Sequence, residues 1–141
     1  MEFILWFEPE RVCKETPLAL NHPDWMLADK DSCFYLLNLG IPEARQYITD
    51  VVSRFIKDFQ VDIYRQDFNM SPLAFWKNAD SVDRIGMTEI RHIEGLYTFW
   101  DELRRRHPNL VIDNCASGGR RIDLETTSRS YPLWRSDYSD M

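Results

Sequence analysis

Two rhythms of apolar and polar positions run along this chain. Short apolar runs are bounded by turn-forming or charged residues, and longer segments repeat apolar residues every three or four positions. Residues 2–7 form the first short run and end at Glu8-Pro9, which predicts a buried strand. A loop rich in proline and charge follows through Pro17 and His22-Pro23-Asp24-Trp25, and residues 33–38 read as a short edge or loop strand. Pro42 suits the first turn of a helix. From there Ala44, Ile48, Val51, Val52, Phe55, Ile56 and Phe59 recur at helical spacing, predicting an amphipathic helix over 42–59. Val61 to Tyr64 predicts the next strand, with Asp67 at its end. Residues 70–87 read as a long loop with a helical turn near Leu73 to Trp76. Thr88 is placed to cap a second long helix with the stripe Ile90, Ile93, Leu96, Tyr97, Trp100 and Leu103, stopped at His107-Pro108. Leu110-Val111-Ile112 predicts a strand, followed by a glycine turn and a short helix around Ile122 to Thr127. Leu133 to Ser136 predicts a last strand. Strands alternating with helices imply an α/β fold built from parallel βαβ units.

Length and charge narrow this picture. At 141 residues the chain can hold one domain with a real core. A closed (β/α)8 barrel needs about 250 residues, or at least roughly 200. The chain opens inside a strand and stops soon after another, as expected for a piece of a longer protein. Seventeen basic against 23 acidic residues, net −6, give no basic stripe and argue against nucleic acid as a partner. The cluster Arg104-Arg105-Arg106 falls at a helix end, where it complements the helix dipole. No apolar run reaches the ~20 residues of a membrane span. No charged-then-apolar leader opens the chain, which favours a cytoplasmic over a secreted location. Cys13, Cys33 and Cys115 are spaced for neither a disulfide framework nor a zinc site, and His22, His92 and His107 are scattered, so no metal or other cofactor is expected. Aromatic residues make up 13% of the chain, a composition that suits sugar rings as well as a core.

Polar chemistry gathers where the predicted strands stop, as it does at the strand ends of an α/β barrel. Arg65, Asp67 and Asn69 alternate along one strand and so share a face, where Arg65 would favour an ionised Asp67. That Asp reads equally as a nucleophile and as half of a structural ion pair on a rim. Asp137 lies between Trp134 and Tyr138. It reads either as a turn cap or as a carboxylic acid whose pKa burial among rings would raise, as a proton donor needs. Cys115-Ala116-Ser117-Gly118-Gly119 reads as a plain turn or as a loop presenting backbone N–H groups to a ligand, phosphate included. Glu8 and Glu10 are either ligand hydrogen-bonders or part of a solvated loop.

Taken in order, Trp6-Phe7-Glu8-Pro9-Glu10, Arg65-Gln66-Asp67-Phe68-Asn69, the run from Asn114 to Asp123 and Trp134-Arg135-Ser136-Asp137 resemble the catalytic domain of retaining α-galactosidases of the melibiase and raffinose type, glycoside hydrolase family 36. The resemblance covers nearly the whole chain. It implies a partial (β/α)8 TIM barrel over 1–141, its segments being the ends of strands three to six. It also implies double displacement, with Asp67 as nucleophile and Asp137 as acid/base. Trp6, Arg65, Asn69, Cys115, Gly118, Gly119 and Trp134 would line the sugar site, and an α-galactoside oligosaccharide would be the substrate. A homo-oligomer stays open for the full-length protein. Arg65 replaces the family's usual Lys, and Gly118-Gly119 stand for its run of four glycines. The tandem Asp pair of strand two has no counterpart here, so this piece alone is expected to be inactive. A related α-glycosidase or transglycosylase on another sugar, a non-catalytic sugar-binding relic and a phosphate-binding βαβ module remain as alternatives.

Overall fold

A computed structural model describes residues 1–138 of the chain. It divides into two units, the first made of Met1–Glu8, Thr49–Asn69 and the described residues from Tyr97 onward, the second of Pro9–Ile48 and Met70–Leu96.

The first unit is built on a parallel sheet of β1 (Ile4–Phe7), β5 (Ile63–Gln66) and β6 (Val111–Asn114), in the order β1-β5-β6. Helix α2 (Pro42–Phe59) enters this unit at Thr49, and helix α4 (Met87–Arg106) enters it at Tyr97. Val52 and Ile56 of α2 and Phe99, Trp100 and Leu103 of α4 are buried, at the three- and four-residue spacing that places side chains on one helical face. Phe7 meets Phe55 edge-on at 5.5 Å, and Tyr64 meets Phe99 at 6.3 Å. Gln66 is fully buried at the end of β5, where its Oε1 accepts the Trp100 indole N–H at 2.7 Å and the Tyr64 hydroxyl at 3.2 Å. At the helix ends, Glu102 takes both Arg105 and Arg106, and Arg106 also reaches Asp50. Helix α5 (Leu124–Arg129) starts from a capping box between Asp123 and Thr126.

The second unit holds an antiparallel sheet of β2 (Arg11–Cys13), β3 (Met26–Ala28) and β4 (Phe34–Leu37), in the order β2-β4-β3. Helix α1 (Pro17–Asn21), whose first turn Thr16 caps, and a 3-10 turn at Pro23–Trp25 connect β2 to β3. Helix α3 (Leu73–Ala79) precedes α4. No described helix is long and apolar enough to cross a membrane.

Three sequence expectations need correction. The segment read as a loop before residue 33 contains two strands, each of three residues, too short to display alternation. The strand expected at Leu133 to Ser136 does not form. Pairing with β6 occurs one step earlier, through a single parallel bridge between Asp113 and Tyr131. The next ladder donor, the Leu133 N–H, goes instead to the Asp113 side chain at 3.0 Å and back to Tyr131 O at 3.1 Å. Finally, Phe59 and Ile90, both assigned to apolar stripes, are half or more exposed, whereas His92 is buried. Gly95 explains the turn of the α4 stripe, because a Cβ there would run into the Leu39 carbonyl. The helix packs its glycine, and with it His92 and Leu96, inward.

Replacing Gln66 by Leu should cost about 1–3 kcal/mol for each buried donor left unpaired. Urea unfolding should show this as a lower midpoint, and an unchanged midpoint would mean that Trp100 and Tyr64 find other acceptors.

Candidate active site

Strand register assembles the site. In the parallel sheet Trp6, Arg65 and Asp113 are Cα partners in one row, and Phe7, Gln66 and Asn114 form the next. The ladder runs on past the strands: the Asp67 N–H donates to Phe7 O and the Cys115 N–H to Gln66 O, both at 2.8 Å. The segments beginning at Glu8, Asp67 and Cys115 therefore leave the sheet at one level, at its carboxyl edge.

Both oxygens of Asp67 are held. Oδ1 accepts the Phe68 N–H at 2.7 Å and the Ser117 N–H at 3.3 Å, and Oδ2 accepts the Asn69 amide at 2.9 Å and the Trp6 indole N–H at 3.3 Å. Partial burial acts to raise its pKa. Hydrogen bonds from Asn69, the Phe68 and Ser117 amides and the Cys115 thiol together outweigh that, leaving the carboxyl below its ordinary value. For Cys115 the direction is opposite. Burial and the neighbouring Asp67 charge push its thiol up, which keeps it protonated and able to donate.

Arg65 plays a different part from the one expected. Its guanidinium pairs with Asp113 at 2.6 Å, and it is not among the groups that lower Asp67. Row partners on adjacent strands lie about 4.8 Å apart, but residues two apart on one strand are separated by about 6.6 Å. The cross-strand carboxylate wins.

The loop after β6 closes against Asp67 through Ser117, which adopts a left-handed φ of 46°. The Ser117 hydroxyl donates to Asn69 Oδ1 at 2.8 Å, turning the amide so that its NH2 faces Asp67. Arg120 bonds the carbonyls of Ala116 and Phe68, both at 2.9 Å, and so ties the loop to the end of β5. Gly118 and Gly119 lie under the chain's own backbone. A Cβ on Gly118 would stand 2.9 Å from Asp137 N, and one on Gly119 would strike the Arg135 carbonyl. These glycines let residues 135–137 approach the loop that touches Asp67.

Asp137 itself is exposed, with the Trp134 indole N–H donating to its Oδ1 at 3.1 Å. The enclosure by aromatic rings expected from sequence is absent, because Trp134 and Tyr138 are themselves 44% and 77% exposed. The two glutamates beside Pro9 part company. Glu8 Oε1 accepts the Asn69 N–H at 2.6 Å, whereas Glu10 is buried with its Oε2 2.9 Å from His92 Nε2, so it is no solvated loop residue. Among the described residues no group of His, Cys, Asp or Glu is arranged to hold a metal ion.

The melibiase family model matches residues 1–141. The chain belongs to the melibiase family. It is 33% identical to an α-galactosidase of Escherichia coli, over 99% of this chain and 20% of that protein. It is 28% identical to an α-galactosidase of Lactobacillus acidophilus, with the same coverage of both. The crystal structure of the Lactobacillus brevis α-galactosidase matches with a TM-score of 0.84 at 31% identity, covering 99% of this chain and 20% of that one. AgaA of Geobacillus stearothermophilus, a family 36 α-galactosidase solved with stachyose, matches with a TM-score of 0.85 at 26% identity and the same coverage. The chain thus spans about a fifth of the length of the curated relatives it matches.

Sequence reasoning gave no individual role to Ser117, Arg120 or Asp113, all of which shape the surroundings of Asp67 and its neighbours. Asp113 stands two residues before Cys115 on a strand, so period-two alternation alone would have put it on the same face.

Asn69 supplies the largest pKa-lowering contribution to Asp67. Asn69→Ala should therefore move Asp67 toward its ordinary 3.8, read by NMR titration of the side-chain carboxyl. The depressed pKa adds folding stability that is complete above the unfolded value and lost as pH falls through the folded one. The variant should lose less stability across that acid window than the parent chain does.

Proposed function

We propose that this chain is part of the catalytic (β/α)8 domain of a retaining exo-α-galactosidase, contributing the ends of strands three to six. Asp67 is the nucleophile in this reading: it attacks the anomeric carbon and forms a covalent glycosyl-enzyme. Asp137 protonates the departing glycosidic oxygen and then, as its conjugate base, takes a proton from the water that releases the sugar. The carrying observation is Asp67, favoured in its ionised form at the carboxyl end of the central strand by four N–H donors. A nucleophile must be ionised before it attacks. Trp6, Arg65, Asn69, Cys115, Gly118, Gly119 and Trp134 form the surface around the sugar. Oligosaccharides with terminal α-galactosyl residues are the substrate class, consistent with relatives solved with stachyose and with raffinose.

One observation favours a related sugar as a second reading. Arg65 spends its guanidinium on Asp113 at 2.6 Å, and its planar fork contacts hydroxyls differently from the Lys it replaces.

In the full-length enzyme Asp67→Asn should abolish turnover of every α-galactoside. Asp137→Ala should lose on the order of 10²–10⁴-fold on substrates with poor leaving groups and far less on activated aryl galactosides, which need little proton donation. Equal residual rates for the two variants on an activated substrate would overturn the assignment of roles.

The isolated chain should show no appreciable turnover, since positioning contributes on the order of 7–11 kcal/mol of a barrier and the strand-two groups of the resemblance are not in it. Self-association is expected through the outer edge of β1, which pairs only with β5 among the described strands. Light scattering and an aryl α-galactoside assay check both, and a stable, active monomer would contradict them.

A further inference from the structure

Asp113 has no part in the mechanism above, yet it is 1% exposed and both its carboxylate oxygens are engaged. Oδ2 accepts from Arg65 at 2.6 Å, and Oδ1 accepts the backbone N–H of Leu133 at 3.0 Å. Around it the main chain makes a short stretch of parallel pairing: the Tyr131 N–H donates to Ile112 O at 2.8 Å and the Asn114 N–H to Tyr131 O at 3.1 Å. The pairing stops there, because the Leu133 N–H turns to the Asp113 side chain and back to Tyr131 O at 3.1 Å. Three residues along from Leu133, the backbone of 135–137 settles over Gly118 and Gly119. The segment carrying Trp134 and Asp137 is thus fixed at two points, and one of them is a buried carboxylate whose charge is balanced from the strand that bears Asp67.

We propose that Asp113 is a positioning residue, which holds Asp137 in place by anchoring the 131–137 segment to β5 and β6. The proposal rests on the α-galactosidase reading for Asp137, but the tether itself does not. A buried carboxylate accepting from a cation and an amide resists displacement, because leaving either donor or its own charge unpaired is costly. Removing it loosens the segment beyond Tyr131 and leaves the Tyr131 bridge and the glycine contact as its remaining holds.

The test uses Asp113→Ala and Asp113→Asn in the full-length protein. Asp113→Asn keeps an oxygen for the Leu133 amide, and Asp113→Ala does not. Asp113→Ala should lower kcat/KM by on the order of 100-fold on an alkyl α-galactoside and by less than about tenfold on an activated aryl α-galactoside, reproducing in part the profile of a missing acid. Asp113→Asn should keep a leaving-group dependence close to that of the parent. Hydrogen exchange read by mass spectrometry should speed up in the peptide covering 131–138 for Asp113→Ala, with the β1 peptide unchanged. Equal losses on both substrates, or faster exchange in β1 to the same degree, would make Asp113 merely structural and overturn the proposal. Unchanged exchange at 131–138 would also overturn it. A parent enzyme inactive on all α-galactosides would refute the galactosidase reading instead, and the exchange experiment would still decide the tether.

Discussion

Backbone hydrogen bonds among β1, β5 and β6 set Phe7, Gln66 and Asn114 side by side, and the whole candidate site depends on that register. Strands have a side-chain period of two, so a slip of one strand by one residue would turn its member of the row Trp6, Arg65 and Asp113 to the opposite face. Buried groups below the edge hold the register. Gln66 accepts from Trp100 of α4 as well as from Tyr64 of its own strand, so a slip of β5 would strand the buried Trp100 donor. Polar satisfaction in the core thus decides where the reactive groups stand at the rim.

Charge is distributed across that rim by distance. Arg65 neutralises Asp113, the more buried carboxylate, and Asp67 relies on uncharged N–H donors and a thiol. This division suits a nucleophile. An ion pair with a guanidinium would hold the carboxylate in place but also compete for the electrons it must donate. Dipolar donors favour the ionised form while leaving the charge on the carboxylate.

The loop from Cys115 to Gly119 joins the two carboxylates of the proposed mechanism. One side of it reaches Asp67 through the Ser117 amide, made possible by a left-handed backbone at that serine. The other side admits residues 135–137 because two positions lack a Cβ. Local strain of this kind persists only where surrounding bonds over-determine it, and here Arg120 ties Ala116 of the loop to Phe68 beyond the end of β5.

Hydrophobic periodicity determined the two long helices, the three parallel strands and the alternation that makes the fold α/β, because each is a local pattern repeated over enough residues to be read. The ordered strand-end motifs determined the family, and they brought Asp67, Asn69, Trp6 and Cys115 to attention. Tertiary structure alone decided which partner each charge takes. Nothing within the Arg65 to Asn69 motif reveals that Asp113, 48 residues further on, stands nearer to Arg65 than Asp67 does. It also decided the fate of the last expected strand, since Leu133 to Ser136 has strand-like composition and loses its ladder when the Leu133 N–H turns to a side-chain acceptor on β6 and to Tyr131 O. Of the small antiparallel sheet only the central strand was legible, its outer strands having three residues each. Pairing across the chain is a property of register, and register is a relation between segments that no single segment carries.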